Sequence, residues 1–345
     1  MSQKRSIFEE VGAEKAAAPA TRQTGTIDKA SRGARGAIRV WLVVLFALVM
    51  VMIVVGGLTR LTDSGLSITE WNVIKGALPP VGADAWAAEF AKYQAIPEYQ
   101  LQNKGMTLTE FKSIYWWEWG HRQLGRVIGL VWAAGFGFFW LTRRIPTGWT
   151  GRLLALGLLG GLQGVIGWWM VSSGLSGTML DVASYRLAMH LGLAFAILGL
   201  IAWYVLGLRR AERDLMQARR AREPRLQSHA GWLIGFAFVQ ILLGALVAGI
   251  DAGRNYIDWP LMAGGLLPPD PFAIDPLWRN FFENDGLVQF IHRVWGYLLL
   301  AVGLRVWVVS RRSSYAATRR AVDWMAVMLL AQIGVGIVTV MSSAP

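Results

Sequence analysis

Apolar positions along this chain are bunched into long runs instead of being spread over one helix face. Runs of roughly 20 residues, the length a helix needs to cross a bilayer, recur at 38–59, 119–141, 153–172, 187–208, 230–250, 287–309 and 321–341. Several contain Gly, which packed membrane helices tolerate. Trp116, Trp117, Trp119, Trp168, Trp169 and Trp278 gather near run ends, as an interfacial aromatic belt does. The pattern predicts an all-α polytopic membrane protein with seven spans. The polar first 37 residues lack the short apolar core and cleavage site of a secretory signal. They are expected to form a disordered cytoplasmic tail.

The runs are organised by an internal repeat. DSGLSITEW, from Asp63 to Trp71, matches DAGRNYIDW, from Asp251 to Trp259. Each stretch continues to a Gly and a Pro pair, Gly76 with Pro79-Pro80 and Gly264 with Pro268-Pro269. A His-Arg step follows in each half, EWGHRQLGR around His121 and QFIHRVWGY around His292. Then come Gln163 with Gly167 and Gln332 with Gly336. Two pseudosymmetric four-helix halves are expected, 38–208 and 230–345, joined by a basic cytoplasmic linker over 209–229. In the first half His190 follows Gln163 by 27 residues. The same step from Gln332 leads past Pro345, so an eighth helix with its histidine is expected to follow it.

Composition narrows the class. The 345 residues are 54% hydrophobic and 16% charged, where a soluble domain carries about a quarter charged residues. The net charge of +12 could suggest nucleic acid, but its distribution excludes that partner. Segments 1–39, 142–152, 209–225 and 311–320 hold 22 Lys and Arg, and the alternate segments 60–113, 172–186 and 251–286 hold 8. By the positive-inside rule the N-terminus is cytoplasmic and the long loops 60–113 and 251–286 lie outside. With no cysteine, disulfides, thiolate metal sites and Cys-attached haem are excluded.

An ionisable group inside a membrane span is a functional candidate by default. His121, His190 and His292 all fall near the outer ends of their runs, and two occupy equivalent repeat positions. Four residues on, and therefore on the same helix face, stand Gly125, Ala194 and Gly296, leaving room for a flat macrocycle. Neutral imidazoles on facing helices are standard axial ligands of haem iron. Arg122, Arg126, Arg186 and Arg293 are candidates for the propionates, or equally for lipid phosphates or loop carboxylates. His229, at the entrance of the fifth run, is an interfacial residue. Glu118 lies three residues before His121, and its counterpart is Gln289, which cannot ionise. That asymmetry suits one reactive site and one electron-carrying site, although a solvated interfacial carboxylate would look the same.

The segments LTRLTDSGLSITEWNVIKGALPP, EFKSIYWWEWGHRQLGR, DAGRNYIDWPLM, FFEN and QFIHRVWGY resemble the haem A synthase family, in its cysteine-lacking branch, over about residues 38–341. The resemblance implies eight helices in two halves. It also implies oxidation of the haem O methyl group to a formyl group by successive hydroxylation, supplying haem A to cytochrome c oxidase. His121 and His190 would flank the substrate haem, with Glu118 near the reacting centre. His292 would be one axial ligand of a haem b cofactor, the other lying on the eighth helix. Membrane lipid, haem O synthase, cytochrome c oxidase assembly components and an unidentified electron donor are the implied partners. The long loops would fold over the haem edges as lids, or dock such a partner. Two other readings fit the residues: a bis-histidine haem b electron-transfer cytochrome, and a transporter of repeated fold.

Overall fold

The computed structural model describes residues 26–177, 179–210 and 212–343. Seven of its helices are long and apolar enough to span a membrane. These are α1 (Thr26–Leu61), α4 (Leu108–Leu141), α5 (Thr150–Val171), α6 (Ser184–Arg209), α8 (Pro224–Gly249), α10 (Asp285–Ser310) and α11 (Ala316–Met341). Short helices α2 (Ala83–Gln94), α3 (Pro97–Leu101), α7 (Glu212–Arg220) and α9 (Asn280–Glu283) lie in the connections. Among the described residues there is no β-strand, and one isolated bridge joins Met262 and Gly265. The chain is a multi-pass, all-α membrane protein.

All seven spans fall on the expected runs, but two begin well before them. α4 starts at Leu108 because Thr107 and Glu110 form a capping box: the Glu110 amide donates to Thr107 Oγ1 and the Thr107 amide donates to Glu110 Oε2. Such a box satisfies the orphan amides of a first turn and carries the helix about 11 residues beyond its apolar run. α1 starts at Thr26, so the expected disordered tail 1–37 is corrected over 26–37; residues 1–25 lie outside the described ones. The linker 209–229 likewise holds α7, and α8 begins at Pro224, a residue suited to the first helical position.

In the first half α1 packs on α4 and α6, and α5 closes the ring by packing on both α4 and α6. In the second half α8 packs on α10, and α10 on α11. The halves meet along α6 and α8. Gly249 of α8 makes this approach feasible, since a Cβ there would lie 2.9 Å from the Ser184 Cα. Ile38, Leu42, Leu153 and Ile201 centre the core at the basic end of the first half. At the loop-rich end the first long connection builds its own core, in which Trp86, Tyr93 and Ile96 pack on Phe111 and Tyr115 of α4.

Arg60, at the end of α1, ties this end together. Its guanidinium meets Asp63 at 3.0 Å, Asp251 at 3.1 Å and Asp181 at 3.6 Å, joining three connections across both halves. Asp63 and Asp251 occupy equivalent repeat positions, and both have left-handed backbones, with φ of 45° and 51°. Asp tolerates that region better than most residues.

Candidate functional site

Each of the three intramembrane histidines rests on a glycine of a neighbouring helix. A Cβ on Gly56 of α1 would come within 3.2 Å of His121 Nε2. One on Gly244 of α8 would lie 3.2 Å from His292 Cε1, and one on Gly167 of α5 only 2.8 Å from His190 Cε1. Gly56 and Gly244 each stand seven residues before the repeated aspartate, at Asp63 and Asp251. Register counted from those aspartates would have identified them, whereas the i+4 argument pointed only to Gly125 and Gly296. Those two face Met52 at 3.5 Å and Gln240 at 3.4 Å, ordinary contact distances. Ala194 stays where helical spacing puts it, on α6 one turn past His190.

Two glutamine amides accompany the rings. Gln163 Nε2 lies 3.2 Å from His190 Nδ1 and donates to the His190 carbonyl at 2.9 Å. Gln240 Nε2 lies 3.2 Å from both ring nitrogens of His292 and donates to its carbonyl. Among the described residues, the buried Oε1 atoms of Gln163 and Gln240 and the Nε of Arg293 have no hydrogen-bond partner. Gln240 escaped the sequence reading because its repeat equivalent is the apolar Met52. Gln332, the repeat equivalent of Gln163, is exposed on α11, as is Gly336.

His229 is at the far end of the bundle, its Nδ1 2.7 Å from the Arg225 carbonyl one turn back. Imidazoles beside glycines, with unpartnered buried amide oxygens next to two of them, suit a planar iron macrocycle held by nitrogen donors.

Glu118 is 3% exposed, and each of its oxygens accepts two hydrogen bonds. Ser67 Oγ and the Ile68 amide donate to Oε2 at 2.7 Å, and Arg122 donates to Oε1 through Nη2 at 2.5 Å and Nε at 3.0 Å. Gln289 occupies the same place in the second half with opposite polarity. Its Nε2 donates to the Ala252 and Tyr256 carbonyls, and its Oε1 accepts from Arg293.

The arginines of both halves grip loop backbone. Arg122 donates to the Ile68 and Glu70 carbonyls, and Arg126 to those of Asn72 and Val73. Arg293 donates to Tyr256, Asp258 and Leu261. Arg186 lies over the Trp169 ring and donates to its carbonyl. None of these loop contacts was foreseen, because a sequence does not show which carbonyls a loop leaves unpaired.

A profile of the family described as cytochrome oxidase assembly protein matches residues 39–345. The chain belongs to that family. A protein of Dinoroseobacter shibae named heme A synthase is 70% identical over all of this chain and 90% of its own length. Relatives of the same name from Ruegeria pomeroyi and Roseobacter denitrificans are 65% and 60% identical, each over all of this chain and 91% of the relative. No solved structure matches the chain.

Proposed function

We propose that this chain is an oxidoreductase that makes haem A by oxidising the methyl substituent of haem O to a formyl group. The observation that carries the reading is identity of 60–70% along the whole chain to proteins named for that synthesis. Three glycine-backed histidines at one end of the spans give it a physical basis. The loop-rich end would face the periplasm of a bacterial inner membrane, with the N-terminus cytoplasmic, as the Lys and Arg distribution requires.

In this reading His121 and His190 hold the substrate haem in the first half. His292 holds a resident haem b in the second, which when bound supplies one-electron redox chemistry. Oxidising a methyl to a formyl group removes four electrons, adds one oxygen atom and releases protons, so an external redox partner is required. The chain's own work is to bind, orient and seal. Gly56, Gly167 and Gly244 put no side chain in the way of the imidazoles, and Gly125 and Gly296 add none to the neighbouring turns. Glu118 and Arg122 fix the Ser67–Glu70 backbone over the His121 end of α4. Glu118 would accept a proton from the reacting centre only after giving up one of its four present donors. Arg126 and Arg293 hold the two long loops, Arg293 next to His292 and Arg126 about a turn and a half past His121, where a propionate would find a cation. Haem O synthase and the oxidase assembly are the partners implied by substrate and product.

Expression of full-length protein in a host that makes haem O but no haem A, followed by haem extraction, tests the reading. Haem A or a hydroxylated intermediate is expected. Haem b alone would instead establish an electron-transfer cytochrome.

A further inference from the structure

α4 is 34 residues long, about 51 Å at 1.5 Å per residue, whereas a hydrocarbon core is about 30 Å thick. Counted back from Leu141, about 20 residues fill that core and place its loop-side boundary near Arg122. The first turns of α4, from Leu108 to about Trp117, therefore stand clear of the hydrocarbon, and His121 lies at its boundary. The long loop does not stay at that height. It returns to the boundary, where Arg122 takes the Ile68 and Glu70 carbonyls, Gln123 takes Ala77, and Arg126 takes Asn72 and Val73.

At this depth the loop turns apolar side chains outward. Val73, Ile74, Leu78 and Val81 are 57%, 86%, 78% and 83% exposed. Val127, next to the Arg126 that binds the Asn72 and Val73 carbonyls, and Leu130 one turn deeper on α4 are exposed as well. Irregular backbone persists at membrane depth only when its polar groups find partners within the protein, and here five carbonyls are taken by side chains. The second half repeats the device. Arg293 and Gln289 take the carbonyls of Ala252, Tyr256, Asp258 and Leu261. Leu266 and Leu267, which precede the second Pro pair, are 81% and 62% exposed. A groove of about 280 Å³ runs between Trp259, Met262 and Leu266 of this loop and Phe290, Val294 and Tyr297 of α10.

We propose that segments 71–81 and 261–267 are interfacial wedges, inserted among the acyl chains of the leaflet on the loop-rich side. Val73, Ile74, Leu78, Val81, Leu266 and Leu267 contact lipid tails, and the exposed Lys75 between them reaches the phosphate level. Arg122, Arg126 and Arg293 act as anchors that satisfy the buried backbone. The depth of these contacts and their continuity with the lipid-facing sides of α4 and α10 favour lipid over a water-facing lid or a protein partner.

The chain has no cysteine, so single-cysteine variants can be labelled cleanly. Full-length Ile74→Cys, Leu78→Cys and Leu266→Cys, each carrying an environment-sensitive fluorophore, are reconstituted in phosphatidylcholine nanodiscs. Leu130→Cys on α4 is the lipid control and the exposed Gln102→Cys the water control. The three loop labels are expected to emit at shorter wavelength than the Gln102→Cys label. Brominated acyl chains should quench them comparably with Leu130→Cys and severalfold more than Gln102→Cys, and iodide should barely reach them. Iodide quenching equal to that of Gln102→Cys would make the loops water-facing and overturn the proposal. Protection from both quenchers would overturn it too, in favour of a protein cover.

Discussion

The two halves of the molecule put the same framework to opposite electrostatic use. In both, a residue three before the histidine clamps the start of the long loop and pairs with the arginine four residues on. In the first half that residue is a carboxylate, because the loop offers donors: the Ser67 hydroxyl and the Ile68 amide. In the second it is an amide, because the loop offers the Ala252 and Tyr256 carbonyls, which need a donor. The Glu118/Gln289 difference is therefore already required by loop geometry, before any catalytic role is invoked. A charge asymmetry between repeats marks a reactive site only after the hydrogen bonds each side must make have been counted.

The largest expected effects separate the halves by haem type. His121→Ala or His190→Ala should reduce haem A to background and leave bound haem b in place. His292→Ala should strip the haem b signal from the optical spectrum of the purified protein. Loss of haem b from His121→Ala with retention in His292→Ala would reverse the assignment of the two sites. Glycine filling should act next. Gly167→Val meets the His190 ring and Gly244→Val the His292 ring, and overpacking of this kind costs about 1–3 kcal/mol. Each should perturb the haem of its own half, read as a shifted Soret band. Gly125→Ala, whose Cβ finds Met52 at 3.5 Å, should be milder than Gly167→Val.

Exchanging the clamps addresses the comparison itself. Glu118→Gln turns an NH2 toward the Ile68 amide or the Arg122 guanidinium, and Gln289→Glu turns a carboxylate toward two carbonyls. Each leaves a buried polar mismatch worth about 1–3 kcal/mol, so both should lower thermal stability and loosen their own loop in hydrogen exchange. If Glu118 also handles protons, Glu118→Gln should depress haem A far more than its loss of stability explains, while Gln289→Glu should not. Equal depression by both would reduce Glu118 to a positioning residue.

The spans were legible in the sequence because bilayer thickness imposes one length on every apolar run, and the repeat was legible because its loop motifs are long. Helix starts outside the membrane were not, since the capping box at Thr107 and Glu110 is a polar signal independent of hydropathy. Of the candidate site, the histidines stand out in the sequence by their depth, whereas their glycine beds could not be read from helical spacing. Gly56, Gly167 and Gly244 belong to neighbouring helices, and only packing brings them to the rings. The arginines were expected beside haem propionates or at lipid or loop charges. In the fold Arg122, Arg126 and Arg293 take loop carbonyls, Arg122 pairing with Glu118 as well, the backbone accounting that any loop returning to the membrane must settle.

The smallest expected effect is a pH response confined to the first half. Glu98, in α3 of the first long loop, is 3% exposed. Burial pushes its carboxyl up to about 8, with the charges of Asp181, Asp63 and Glu118 adding to the shift. In the second long loop Asp258 goes the other way, held below the usual range by the amides of Gly264 and Ala263. The folded first loop thus retains a proton on Glu98 that the unfolded chain releases near the ordinary carboxylate value. Its stability falls as pH rises from about 4.5 towards 8 and levels off above that. Limited proteolysis of the 83–107 segment should accelerate between pH 6 and pH 8.5, while cleavage within 251–284 stays constant. Glu98→Gln, which keeps the shape and cannot ionise, should flatten the first profile and raise the melting temperature at pH 8.5 by about 2–4 °C for each kcal/mol recovered. A Glu98→Gln protein whose first loop still loosens with rising pH would move the titrating group elsewhere, with Asp181, also raised by burial, the next to replace.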